Sequence, residues 1–186
     1  MEKNEIRKSI KDLKKYLPES DQKSYSERIL EQLYNIPEFN KCKMIFSYVS
    51  FNQEVITTSL IKTAFEQGKK TAVPKITKEG MKFFFIHSFE DLKPGVLGIL
   101  EPTTNEEAIP DPLEENLVIV PGLAFDEHKN RIGYGKGYYD SFFAKYQSYP
   151  LIKIALAYDF QILKKVPADD FDIKVDSIIT QCGIIR

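Results

Sequence analysis

Residues 116–140 read NLVIVPGLAFDEHKNRIGYGKGYYD. Asn116 to Val120 is apolar without alternation and rich in β-branched side chains, which suits a strand covered on both faces of a sheet. Pro121 and Gly122 end it. Gly133, Gly135 and Gly137 follow at alternate positions. Without Cβ atoms they can take positive φ and turn successive N–H groups toward an anion. Lys136 adds a full charge: an ammonium and a phosphate ~4 Å apart at an effective dielectric of ~20 attract by about 4 kcal/mol before desolvation. A helix N-terminus supplies only about half a charge. The glycines therefore set the geometry and Lys136 most of the electrostatics, with Arg131 as a second phosphate ligand, bidentate by nature. Tyr138 to Tyr146 is predicted to be a helix whose start points at the anion, with Asp140 a carboxylate at the edge of the cradle.

Two familiar glycine motifs are excluded. A P-loop needs four residues between its glycines and Ser or Thr after the lysine, whereas Lys136 is followed by Gly137. The dinucleotide fingerprint has two residues between its second and third glycines; here there is one. Three alternating glycines alone would equally describe a tight turn. Arg131, Lys136 and Asp140 in the same stretch favour anion binding.

The surrounding chain places this stretch in an α/β context. Ile6, Ile10, Leu13 and Leu17 recur at helical spacing, predicting an amphipathic first helix ended by Pro18. Ser20 is expected to cap a second helix up to about Tyr34. Met44 to Val49 reads as a strand, Val55 to Gln67 as a helix and Lys70 to Val73 as a strand, a βαβ unit with parallel pairing. Met81 to His87 is an aromatic strand. Pro94 to Pro112 is expected to be a long irregular connection ordered by ligand or core contacts. Leu117 to Val120, Ile152 to Ala157 and Ser177 to Thr180 supply the remaining strands.

The 186 residues suffice for one domain with a sizeable core. Twenty-six basic and twenty-seven acidic side chains leave a net charge of −1, so no global field draws the chain to nucleic acid or membrane. Cys42 and Cys182 form no C-x-x-C pair and are too few for a disulfide framework, which suits a reducing compartment. The N-terminus lacks a signal-peptide pattern and no run is long enough to span a bilayer, so a cytoplasmic location is expected. His87 and His128 lack metal-ligand spacing and are read as bystanders to any zinc chemistry.

With these pieces assembled, Pro121 to Asp140 resembles the signature of the 5-formyltetrahydrofolate cyclo-ligase (methenyltetrahydrofolate synthetase) family. Shorter matches lie in the expected order: Lys3 and Arg7, Tyr48 to Glu54, Val73-Pro74-Lys75, Gly98-Ile99 with Glu101-Pro102, and Asp172 to Thr180. Ile6, Asn130 and Ser141 depart from the usual leucine, glycine and basic residue. Asn130 is expected to preserve its turn by adopting the left-handed conformation. Pattern and resemblance together imply an α/β fold: a single cyclo-ligase domain over residues 1–186, three-layered α/β/α, with a Rossmann-like, mostly parallel mixed sheet flanked by helices.

The resemblance also implies roles. ATP would be held by Lys3, Arg7, Arg131, Ile132, Gly133, Tyr134, Gly135, Lys136, Gly137, Tyr138 and Tyr139. The small-molecule partner, 5-formyltetrahydrofolate, would meet Val49, Glu54 and the stretch Tyr134, Gly135, Lys136, Gly137, Tyr138. Asp140 and Asp172 would bind Mg²⁺, a hard cation commonly held by one or two carboxylates with substrate phosphates. Lys136, Arg131 and Tyr138 would act in catalysis, in a monomer. Spacing alone makes the basic first helix a solvated face, Glu54 a first-turn carboxylate favoured by the helix dipole, and Asp172 part of an acidic loop. The competing reading is a non-catalytic nucleotide- or folate-binding protein, which would need no metal carboxylate beside the cradle. A phosphosugar isomerase or acyl-CoA transferase would require a base or glutamate nucleophile in another context, and none is identifiable.

Overall fold

The computed structural model of the chain describes residues 2–95 and 98–186. In chain order its first half comprises helices α1 (Lys3–Lys15), α2 (Glu19–Tyr34) and α3 (Pro37–Lys41), strand β1 (Met44–Phe46), helix α4 (Thr58–Glu66) and strands β2 (Lys70–Thr77), β3 (Gly80–Ile86), β4 (Leu92–Pro94) and β5 (Leu100–Pro102). The second half comprises β6 (Asn116–Val120), β7 (Ala124–Asp126), β8 (Arg131–Ile132), helix α5 (Tyr138–Lys145), β9 (Leu151–Leu156), β10 (Ile162–Leu163), β11 (Ser177–Thr180) and β12 (Gly183–Ile185).

The main sheet runs β12-β11-β9-β6-β1-β2-β3. Pairing from β11 through β2 is parallel, and the two edge strands, β12 and β3, are antiparallel. All five residues of β6 are buried. Leu117 and Ile119 enter a core with α2, α3 and α4, while Val118 and Val120 enter another with Phe142 and Phe143 of α5. This division is the period of two expected of a strand sandwiched between helical layers. The α/β class, the layers and the mixed sheet are as the sequence implied.

The chain proceeds from β1 toward β2 on one side and from β6 toward β9 on the other, so the order reverses between neighbouring strands β1 and β6. Ligands in open α/β sheets gather beyond the strand C-termini at such a reversal. The loop leaving β1 carries Glu54, and the glycines follow β6 by way of the short strands β7 and β8. A small sheet, β10-β7-β8, sits beside them. Ile6 and Ile10 of α1 pack on its Ala124 and Ile132, which fixes α1 against the glycine loop.

Several local expectations are corrected. Met44–Val49 is a strand only to Phe46 and the following helix begins at Thr58 rather than Val55, because residues 47–57 form a loop held by side chains. Strand β2 continues past Val73 to Thr77, since Lys75, Ile76 and Thr77 pair with Lys82, Met81 and Gly80. Ser20 lies inside α2; Pro18 is the N-cap, its carbonyl accepting from Gln22 N at 2.9 Å. The segment Pro94–Pro112 is not wholly irregular: Leu100–Pro102 pairs with Leu92–Pro94 and Glu107 bridges Phe84. Its Val96 and Leu97 lie outside the described residues. Asn130 does not take the left-handed conformation; Lys129 does, at φ 65°.

The inward face of α1 also differs. Leu13 is 50% exposed, whereas Lys14 is 7% exposed. Ile6, Ile10 and Lys14 succeed one another at intervals of four, and the aliphatic stem of Lys14 completes the stripe. Burial pushes the Lys14 ammonium down from 10.5 to about 8, against an opposing pull from Glu54. The folded-state value lies below the unfolded one, so wild-type stability rises with pH between about 8 and 10.5 as this penalty is lost. Lys14→Met should therefore stabilise the fold by on the order of 2 kcal/mol at pH 7. The gain should shrink through that alkaline window, as measured by urea unfolding of both proteins at matched pH.

Candidate active site

The glycine loop is prepared by a buried carboxylate. Asp126, at the end of β7, accepts from the backbone N–H groups of His128, Asn130 and Val166 at 3.0, 3.0 and 2.9 Å. The Asn130 side chain also donates to it, at 3.0 Å. Burial alone would raise this carboxyl, but these donors hold it below the usual carboxylate range. The turn into β8 is thereby fixed, and Arg131 emerges from it toward the site.

The three glycines do different work. Gly135 and Gly137 have φ of 100° and 66°, the freedom expected of a cradle. Gly133 does not have positive φ; its bare Cα makes room for Arg131, whose Nη1 would lie 2.7 Å from an added Cβ. Gly137 is the N-cap of α5, so that helix begins at the loop. Arg7 of α1 donates from Nε to the Gly133 carbonyl at 3.0 Å, tying the first helix to the loop.

Around the loop, charges from four parts of the chain converge. Arg131 Nη2 donates to both Asp140 oxygens at 2.9 Å, and Asp140 Oδ1 also accepts from Ile173 N at 3.1 Å. Asp140 is thus placed beside the Asp172 segment. Lys3 pairs with Asp172, and with Asp169 at 2.7 Å. Burial opposes ionisation of Asp172, yet the Asp169 N–H and the Lys3 ammonium hold its carboxyl below its usual value. The Lys3 ammonium is held above its own usual value by the two carboxylates, which outweigh burial. Arg131 is engaged by Asp140 rather than presenting a free fork; its Nε is buried without a partner. Lys136 is exposed and makes no hydrogen bond or ion pair among the described residues.

These groups line a cavity of about 780 Å³ that includes Lys3, Arg7, Arg131, Lys136, Asp140 and Asp172. A second cavity, about 630 Å³, is more apolar, with Val49, Phe51, Ile76, Met81, Leu100 and Leu123 in its wall and Glu54 among them. Pro121, Tyr134, Tyr138 and Tyr139 border both. The aromatic segment of the glycine stretch is therefore a shared partition. Ile132 lines the first cavity although its side chain is buried in the small core.

Glu54 bridges loop and partition. Tyr134 Oη donates to its Oε1 at 2.7 Å, and Phe51 N to its Oε2 at 2.9 Å. Burial raises the Glu54 carboxyl despite these donors. Burial and the Glu54 charge together hold the Tyr134 phenol well above its usual value, so it remains a donor.

Supports that sequence reading missed hold the loop. Gln22 of α2 donates to the carbonyls of Asn52 and Glu54, Tyr158 Oη donates to the Glu54 carbonyl, and Tyr48 Oη to that of Val55. Of these, Tyr48 opens a stretch matched to the family and Tyr158 stands just past a predicted strand end, whereas Gln22 carried no positional signal.

A hard cation here would meet Asp140 and Asp172. Among the described residues there is no group of three or more His, Cys, Asp or Glu that could hold a metal. Two carboxylates that need further oxygen donors match a cation completed by water and phosphate. For an anion, the unpartnered Arg131 Nε, the free Lys136 and the open N-terminus of α5 supply complementary charge.

Comparison with known proteins places the chain among relatives of similar sequence and fold. The chain is 34% identical to the probable 5-formyltetrahydrofolate cyclo-ligase of Schizosaccharomyces pombe, covering 100% of this chain and 98% of the relative. It is 30% identical to the mitochondrial 5-formyltetrahydrofolate cyclo-ligase of Arabidopsis thaliana, over 97% of this chain and 73% of that protein. The solved structure of Aquifex aeolicus 5,10-methenyltetrahydrofolate synthetase superposes with a TM-score of 0.86 at 32% identity, covering 100% of this chain and 93% of that one. The family model for 5-formyltetrahydrofolate cyclo-ligases matches residues 1–181, and the chain belongs to that family of ligases.

Proposed function

We propose that this enzyme converts 5-formyltetrahydrofolate to 5,10-methenyltetrahydrofolate at the expense of ATP, with Mg²⁺, releasing ADP and phosphate. The observation that carries the reading is the pair of cavities divided by Tyr134, Tyr138 and Tyr139. One has the charges a triphosphate requires, and the other has a largely apolar wall with the partly buried Glu54 carboxylate set in it, as a pteridine with a donor edge requires. Residues 1–186 act as one cyclo-ligase domain, and both cavities are formed within one chain, as a monomeric enzyme needs.

The chemistry explains the partition. The formyl group on N5 is amide-like, and closing a ring from N10 means expelling its oxygen, a poor leaving group at neutral pH. The formyl oxygen attacks the γ-phosphorus, and the bond to ADP breaks. N10 then attacks the activated formyl carbon, the N10 proton is lost, and the C–O bond breaks to release phosphate. Phosphoryl transfer is accelerated chiefly by positioning and charge stabilisation, without a protein nucleophile.

In this assignment Lys3 and Arg7 hold ATP phosphates from α1. The backbone from Arg131 and Ile132 through Gly133, Tyr134, Gly135, Lys136, Gly137, Tyr138 and Tyr139 surrounds the triphosphate. Lys136 is the mobile cation that follows the transferred group, and Arg131 both orients Asp140 and adds positive charge. Asp140 and Asp172 would hold Mg²⁺, which would supply charge neutralisation for the triphosphate. Val49 packs against folate, Glu54 accepts hydrogen bonds from its donor edge, and the Tyr138 ring offers it a stacking face.

Incubation with 5-formyltetrahydrofolate and Mg-ATP should give the near-ultraviolet absorption of the methenyl product together with ADP; a passive binder gives neither. Lys136→Ala should lower turnover by roughly a hundredfold or more, with unfolding free energy changed by less than about 0.5 kcal/mol. Undiminished turnover in that variant would exclude the assigned role. Glu54→Gln keeps the shape and lets the amide donate to Tyr134, so it should raise the folate KM by roughly tenfold or more and leave ATP affinity unchanged. The reverse pattern would move Glu54 to the nucleotide side.

A further inference from the structure

Lys14 is a buried cation without a counter-ion. Among the described residues it makes no hydrogen bond or ion pair, although it is only 7% exposed. Its Nζ lies 5.8 Å from the centroid of the Tyr158 ring, and it lines the apolar cavity with Glu54. Glu54 makes no hydrogen bond or ion pair with it: its carboxylate oxygens accept one bond each, from Tyr134 and Phe51, which leaves lone pairs for an occupant, and its carbonyl accepts from Tyr158 and Gln22. Lys14 Nζ is not among the fully enclosed unpartnered atoms, so the ammonium opens onto the cavity it lines. Its donors are therefore available to an occupant of that cavity.

The occupant must satisfy two opposite neighbours. A group bound here meets a carboxylate that accepts and, beside it, an ammonium that donates. The pteridine ring presents that order along one edge: an amino group and a ring N–H, followed by a carbonyl oxygen. A glutamate tail has no adjoining donors for Glu54, and its solvated carboxylates are better matched by the exposed Lys11 and Lys15 at the rim. Resting on the folate reading above, we propose that Lys14 is a substrate-specificity residue that donates a hydrogen bond to the ring carbonyl oxygen of the pteridine next to the edge held by Glu54.

Titration gives a signature of its own. The charged and titratable groups that share the cavity with Lys14 are Glu54 and Tyr48 from the β1 side, Glu101 of β5, Tyr134, Tyr138 and Tyr139 from the glycine stretch, and Lys11 and Lys15 on α1, with the Tyr158 ring from the end of β9 beside its Nζ. Glu54 is the one whose charge favours the ammonium, and burial outweighs it. Loss of the Lys14 proton near pH 8 should therefore replace a charged donor by a weaker neutral amine and weaken folate capture.

The test measures folate and ATP kinetics for wild type, Lys14→Met and Lys14→Arg, with 5-formyltetrahydrofolate and with 5-formyltetrahydropteroate, which lacks the glutamate. Lys14→Met should raise the KM for both folate compounds by the same factor, roughly ten- to hundredfold. The KM for ATP should not move, and the alkaline limb near pH 8 in kcat/KM for folate should disappear. Lys14→Arg should recover part of the affinity. An unchanged folate KM with an unchanged pH profile overturns the proposal, as does a loss confined to the glutamate-bearing compound, which would assign Lys14 to the tail. Wild-type protein that neither binds 5-formyltetrahydrofolate nor forms product overturns the folate reading as well. Wild-type turnover with an insensitive Lys14 overturns this inference alone.

Discussion

The parallel pairing of β1 with β6 is the constraint from which the site follows. Met44 opposite Asn116 and Phe46 opposite Val118 bring both strand ends to the same edge of the sheet. Because the chain leaves this pair in opposite lateral directions, no crossover helix covers the gap between them, and two loops remain to fill it. One carries a carboxylate and the other a run of glycines, lysine and tyrosines. Buried apolar side chains on both faces of β6 hold the pair in register, so the core that stabilises the sheet also aligns the site.

The loops are built by opposite means. The glycine segment uses bare backbone, with Gly135 and Gly137 at positive φ and Gly133 vacating space for a guanidinium. The Glu54 segment is held by side chains from α2 and from the end of β9. Helix α1 links them: Arg7 reaches the glycine loop and Lys3 the Asp172 segment, while Lys14 enters the neighbouring cavity. The first helix is thus part of the wall of both cavities rather than a solvated appendage.

Legibility in the sequence followed the range of the interactions. Strand β6 was readable because burial on both faces leaves an unbroken apolar run from Leu117 to Val120, and β11 because the β-branched pair Ile178 and Ile179 stands at the centre of a short, wholly buried segment. The glycine stretch was readable because its geometry depends on neighbouring residues. Lys3 and Arg7 reached their partners only across 169 and 126 residues of chain, a separation that spacing cannot report; resemblance to a family could. Residues 47–57 were mistaken in part for strand and helix because Gln22 and Tyr158, 32 and 104 residues away from Glu54, satisfy their backbone. Leu13 and Lys14 were exchanged because hydropathy assigns a lysine outward, whereas its four-carbon stem completes an apolar stripe. The Lys129 turn was misplaced by one residue because Asp126, whose carboxylate organises it, was not recognised as buried.

The hydrogen bond from Tyr134 Oη to Glu54 Oε1 joins one loop to the other. A molecule that claims that carboxylate oxygen competes with the phenol, and release of the phenol loosens one tether of the segment that borders the charged cavity. Affinity in the two chambers is then a single linked quantity: whatever factor the first guest imposes on the second, the second returns to the first.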